Sequence, residues 1–207
     1  MIKEASIEHF LHELASKSPT PGGGSAAAIM GAMGAALVAM VCNLTVGKKN
    51  YEDVSEEMAV LLPTLDGLRT RLVDMVAADV AAFDQVMAAY GMPRETDADK
   101  QRRSAAIQSA LKQATLVPLE CARACVEVIG LSRVAAEKGN KNVISDAGVA
   151  VVVAHAALRS AALNVRVNTG VIRDEAFVTG ALQDLANLMS GVDTSTEQTY
   201  QLVMQKL

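Results

Sequence analysis

The chain has 207 residues, 51% of them hydrophobic but only 3% aromatic, and no Trp. That is enough for a sizeable core built from Ala, Val, Leu and Met, residue types that mostly favour helices. The 19 Lys and Arg set against 23 Asp and Glu, with both signs mixed along the chain, leave no basic footprint for nucleic acid. Three cysteines, Cys42, Cys121 and Cys125, form an odd and sparse set, which argues against a disulfide framework and for a reducing, cytoplasmic setting.

The opening stretch "MIKEASIEHFLHELASKS" is charged throughout and lacks the apolar segment of a signal peptide. Within it Ile7, Phe10, Leu11 and Leu14 fall at helical spacing and predict a short amphipathic helix, which "SPTPGGG" ends. From Ser25 to about Val46 the large residues Met30, Met33, Leu37, Met40, Val41 and Leu44 make one stripe. Ala27, Gly31, Ala35 and Ala39 make a second, small-residue ridge, a pattern that lets a neighbouring helix approach closely at a bundle centre or a subunit interface. Residues 18–47 hold no charge until Lys48 and by length could span a bilayer. Their turn-forming start and Ala/Gly-rich remainder fit a buried bundle helix instead, so no membrane partner is expected.

"GKKNYED" returns the chain to water, and residues 52–91 read as a long helix with a bend at Pro63. "GMPRETDADK" is an exposed turn. A second long helix is expected from about Asp97 to Glu137, bent at Pro118 and stopped by Gly139. "NKNVIS" leads into another charge-free helix, Ala147 to Leu158, and residues 174–190 and 194–206 close the fold on either side of "SGVDTS". No sustained alternation, repeat or linker interrupts this pattern. Residues 1–207 therefore read as a single all-α domain, a helical bundle with two buried, charge-free central helices.

Gly22, Gly23 and Gly24 are not a Walker loop, because Ser25 is followed by alanines, and they lack the strand and spacing of a dinucleotide fingerprint. What remains is a side-chain-free approach to a helix N-terminus with Ser25 as N-cap, where bare N–H groups either are capped by the chain or grip a ligand oxygen. Asp79 shares a helix face with Leu72, Val76, Phe83, Met87 and Tyr90. A carboxylate in an apolar stripe is ion-paired, protonated or functional. Asp146, behind Ser145, opens the second charge-free helix as a dipole-favoured acid, with Asn140 and Asn142 crowding the same entrance. Asn164 and Asn168, one turn apart at the other end of this helix, either finish it or read the donor and acceptor edge of a heterocycle. Lys48 and Lys49 either complement the end of the glycine-led helix or clamp ligand carboxylates. Cys121 and Cys125 lack a third ligand, so no metal site is expected. His9, His12 and His155 are too scattered for a triad.

Taken together, "PTPGGGSAAAIMGAMGAALVAMVCNLTVGKKNYEDV", "DVAAFDQVMAAYGMP" and "EKGNKNVISDAGVAVVVAHAALRSAALNVRVN" resemble the cyclodeaminase/cyclohydrolase family of folate enzymes over roughly residues 5–190. The resemblance implies an all-helical homodimer acting on a tetrahydrofolate substrate, with no metal or further cofactor. It implies hydrolysis of 5,10-methenyltetrahydrofolate to the 10-formyl compound, or alternatively ring closure of 5-formimidoyltetrahydrofolate with release of ammonia. In that frame the glycines wall the folate site, and Asp79 and Asp146 are candidates for the carboxylate beside positive charge and for the base. Lys48 and Lys49 would hold the glutamate tail, while Ser25, Asn140, Ser145, Asn164 and Asn168 would supply further polar contacts. A reading of another class, a non-catalytic helical scaffold, makes the glycine loop purely structural.

Overall fold

The computed structural model describes residues 5–207; the first four residues of the charged opening stretch lie outside the described residues. Among the described residues seven α-helices follow in order: α1 (Ile7–Leu14), α2 (Gly23–Asn43), α3 (Glu52–Tyr90), α4 (Asp97–Lys138), α5 (Ile144–Thr169), α6 (Glu175–Met189) and α7 (Val192–Lys206), with a 3₁₀ turn at Lys141–Val143 before α5. No strand occurs among the described residues.

Consecutive helices α2 to α5 form an up-down-up-down ring in which α2 packs against α3 and α5, and α4 closes the ring. Its centre is made of small side chains: Ala27, Ala35, Ala122, Ala124, Ala147, Ala150, Ala154, Ala157 and Ala161 are fully buried. Close approach is the consequence. A Cβ at Gly34 would stand 3.2 Å from the Ala150 carbonyl oxygen and 3.3 Å from Ala154 Cβ on α5. Of the predicted small-residue ridge, Ala27, Gly31 and Ala35 are buried and Ala39 is half-buried. Helices α6 and α7 lie outside this ring, against α4 and α5.

Several predicted boundaries move. The N-cap of α2 is Gly22, with no side-chain cap, and Ser25 is the third residue of the helix rather than its cap. Helix α5 is longer than the predicted Ala147–Leu158 and is not charge-free: it carries Asp146 in its first turn and Arg159 and Arg166 further on. Both arginines are exposed, so they leave the apolar inward face uninterrupted and the helix continues past them. Helices α6 and α7 are separated by Ser190 and Gly191 alone, since Gly191 adopts φ +74° and turns the chain at once. On α1 only Phe10 packs against the core, and Ile7 and Leu11 stay exposed. The spans of the long helices match the prediction: α3 continues through Pro63, and α4 opens with a reciprocal Thr96–Asp99 capping box and is capped by Gly139.

Length mismatch places the site. Helix α3 has 39 residues and α2 has 21, about 60 Å against about 30 Å of rise. The α3–α4 hairpin therefore projects past the start of α2, where it packs its own small cluster of Ala89, Ile107 and Leu111 with Ile172. The glycine turn sits on the shoulder so formed.

Candidate active site

Asp79 comes off α3 at this shoulder and meets the first turn of α2. The Ser25 hydroxyl, fully buried, donates to Asp79 Oδ2 at 2.8 Å. The Ser25 N–H, one of the helix-start amides without an intrahelical acceptor, also favours the carboxylate. Asp79 is thus a tertiary cap: a carboxylate from one helix closes the N-terminus of another. The packing leaves no room for a side chain at Gly24, where a Cβ would lie 2.6 Å from Asp79 Cγ and 2.8 Å from Oδ2. Gly23 and Gly22 are under no such pressure, their nearest neighbours being 3.7 Å away. Among the described residues no salt bridge reaches Asp79. Burial pushes its carboxyl above the ordinary range, against the opposing pull of the Ser25 hydroxyl and amide.

The carboxylate looks into a cleft of about 310 Å³ between the glycine turn, α3, α4 and the far end of α5, at the small end of the range for ligand sites. Phe83, Val86, Val167 and Pro118 give it apolar walls, and none of its lining residues is Lys or Arg. Asn164 and Asn168 face it from α5, with Asn164 Nδ2 3.7 Å from the position of a Cβ on Gly23. Gly22, Gly23, Gly24, Asp79, Asn164 and Asn168 therefore line one cleft. Ser25 joins them from beneath, through Asp79.

The other predicted site residues lie elsewhere in the chain. Helices α2 and α5 run antiparallel, with Gly23 beside Asn164, Gly34 beside Ala150, and Thr45 beside Asn140. Asp146 stands eighteen residues before Asn164 on α5, about 27 Å along the axis. It and Ser145 belong to the opposite end of the bundle, with Lys48 and Lys49. Asn140 is buried there and fully engaged within the protein. Its amide nitrogen donates to Leu44 O at 2.9 Å, its Oδ1 accepts from Asn142 N at 3.0 Å, and its backbone N–H donates to Thr45 Oγ1 at 2.9 Å. One protomer thus holds two polar clusters, one at each end of the α2–α5 pair. His155 joins neither; it bonds Asp193 Oδ1 at 2.6 Å.

Sequence reasoning missed Pro118 and Val167 as cleft residues. Val167 looks like an ordinary apolar member of α5, and Pro118 looks like a helix bend; only their meeting across the bundle identifies them.

Comparison with known proteins agrees with this architecture. The profile of the formiminotransferase-cyclodeaminase family matches residues 6–187. The chain is 55% identical to the methenyltetrahydrofolate cyclohydrolase of Methylorubrum extorquens over 207 residues, covering all of both chains. It is 35% identical over 188 residues to the formimidoyltransferase-cyclodeaminase of Sus scrofa, covering 91% of this chain but only 35% of that longer protein. The crystal structure of formiminotetrahydrofolate cyclodeaminase from Thermotoga maritima superposes with a TM-score of 0.85 at 33% identity, covering 100% of this chain and 98% of that one. An all-helical bundle with a glycine-led second helix, matched along its full length at this identity, belongs to the formiminotransferase-cyclodeaminase family.

Proposed function

We propose that this chain hydrolyses 5,10-methenyltetrahydrofolate to 10-formyltetrahydrofolate. The observation that carries the reading is Asp79: a carboxylate without a counter-ion among the described residues, raised in pKa by burial and aimed into a cleft that has no cation in its lining. The bridge carbon of the substrate joins N5 and N10 as a delocalised amidinium cation, which supplies the missing positive charge. Water adds to that carbon while Asp79 takes one of its protons, giving a neutral carbinolamine. Asp79 then returns the proton to N5 as the C–N5 bond breaks, the hydroxyl proton leaves to solvent, and the formyl group stays on N10. One water is consumed and one proton released. A raised pKa suits a group that must first accept a proton and then give it back.

Purified protein mixed with 5,10-methenyltetrahydrofolate should remove the near-UV absorbance of the bridged cation in a saturable, protein-dependent way. Run in parallel, 5-formimidoyltetrahydrofolate with ammonia measured tests the second reading, which the likeness to the Thermotoga maritima cyclodeaminase favours. Ammonia release outpacing methenyl hydrolysis would reverse the assignment. A scaffold would show neither reaction, nor protection against heat by folates.

We also infer that the working unit is an antiparallel homodimer. Met33, Met40 and Leu44 on α2 and its C-cap and Val149, Val152, Leu163 and Val167 on α5 are large, apolar and exposed. Gly34 packs on Ala150, and each lies one residue past the outward Met33 and Val149. The two stripes consequently sit on the same side of the pair and form one continuous apolar face. A two-fold axis perpendicular to these helices covers both copies of the face. It also brings Lys48, Lys49, Ser145 and Asp146 of one protomer to the cleft of the other, whose lining lacks cations and where the substrate's glutamate carboxylates need them.

Hybrids test this arrangement. Protomers carrying Asp79→Asn should be nearly inactive, as should protomers carrying Lys48→Ala, Lys49→Ala and Asp146→Asn together at low substrate. Unfolded and refolded together, they should recover roughly a quarter of wild-type activity, because mixed two-fold dimers regain one intact site each. Mixed dimers confirmed by native mass spectrometry but no more active than their parents would overturn the shared site. A monomer on sedimentation would overturn the dimer.

A further inference from the structure

Pro118 has no N–H, so the carbonyl of Ala114, one turn earlier in α4, lacks its helical donor. Pro63 poses the same problem in α3, but Ala59 there is exposed to solvent. Ala114 is buried and needs a protein donor. Asn168 provides it across the bundle, with Nδ2 2.9 Å from Ala114 O. A carbonyl can only accept, so the atom of Asn168 facing it must be the NH₂ and the amide has a single orientation. Its Oδ1 is left to the cleft. Asn164 is committed in the same sense, with Nδ2 donating to Ser160 O at 2.9 Å. The cleft therefore presents side-chain acceptors on its α5 wall, opposite backbone donors of the glycine turn.

We propose that Pro118 is a positioning residue that locks Asn168 as a hydrogen-bond acceptor, and that Asn168 Oδ1, with Asn164 Oδ1 beside it, selects the N–H-bearing edge of the substrate's reduced pterin ring. This rests on the folate reading above and adds the orientation of the ring within the cleft. A ligand that sets a carbonyl or ring nitrogen against these two oxygens faces acceptor on acceptor and binds more weakly than one that sets an N–H there.

The test separates site from scaffold by placing Asn168→Ala in two backgrounds. In the wild-type background it orphans the Ala114 carbonyl, so both melting temperature and substrate binding should fall. With Pro118→Ala added, position 118 regains a backbone N–H to donate to that carbonyl, and the melting temperature should return. KM for 5,10-methenyltetrahydrofolate, judged against the Pro118→Ala single variant, should remain about tenfold higher with kcat changed much less, the loss of one ligand hydrogen bond. Recovery of both quantities in the double variant overturns the proposal and leaves Asn168 structural. If wild-type protein turns over no methenyl substrate, the folate-hydrolase reading fails by itself. The Asn168 claim is then decided by tetrahydrofolate as a thermal-shift probe: a shift lost in both Asn168→Ala backgrounds supports it, and an equal shift in all variants overturns it.

Discussion

Asp79→Asn is expected to lower kcat by about 10²–10⁴-fold, the range for losing a general base, with no loss of fold. Asn keeps an acceptor for the Ser25 hydroxyl that now reaches Oδ2, so the tertiary cap on α2 survives while the proton-transfer function is removed. The stability effect has a definite sign. Burial raises the carboxyl pKa in the folded state above its unfolded value. The folded protein thus binds this proton more tightly, and the contribution to stability is present below the unfolded carboxylate range and lost as pH rises through the folded pKa. At neutral pH the ionised side chain is a net cost to folding, which Asn avoids. The variant should therefore melt no lower than wild type at pH 7, and its relative advantage should shrink toward about pH 4 and below, where wild type binds the proton. In wild type, kcat/KM, which reports the free enzyme, should fall on acidification with a midpoint above that of an ordinary carboxylate. Thermal melts at several pH values together with steady-state kinetics check both parts. A folded Asp79→Asn enzyme with near-normal kcat removes Asp79 as the base and leaves it a cap.

How much of this was visible beforehand depends on the range of the signal. The long helices are written in local periodicity, and Asp79 stands out because a carboxylate among Leu72, Val76 and Phe83 breaks an apolar stripe. The role of Ser25 is not local. Read alone it looks like an N-cap, but the acceptor at that helix start arrives from a residue 54 positions later, so the chain has no need of a cap from its own side chain. Asn168 and Pro118 are the same kind of case, since nothing near either residue announces that one repairs the backbone of the other. Asp146 is the reverse case. Within one protomer, antiparallel packing of α2 on α5 sends it and Asp79 to opposite ends, so grouping the two holds only across the proposed dimer. The polar residue types were legible because desolvation makes them conspicuous. Their partners were not, because pairing is decided by helix lengths and crossings.

Gly24→Ala carries the second large effect, and it opposes the usual rule for helices. Ala is favoured over Gly inside a helix by about 1 kcal/mol, and Gly24 sits at the second position of α2. Helix propensity alone therefore predicts a modest gain. The added Cβ, however, would stand 2.6 Å from Asp79 Cγ and 2.8 Å from Oδ2, with the carboxylate itself as the obstacle. Either Asp79 swings away from Ser25, or α2 lifts from α3, which would strain an Ala-built core. Rotation of one side chain is the softer response. The expected result is then a nearly unchanged melting temperature with kcat lowered about 10²-fold or more, the scale for displacing a reacting group by about 1 Å. Gly23→Ala is the matched comparison: its Cβ would meet Asn164 Nδ2 at 3.7 Å, ordinary contact that leaves Asp79 seated, so its loss at this cleft-lining position should appear in KM rather than in kcat. Equal damage from both substitutions would mean that the whole turn is merely intolerant of side chains. Wild-type kinetics in a folded Gly24→Ala protein would show that the contact between glycine and carboxylate does not hold the base in place.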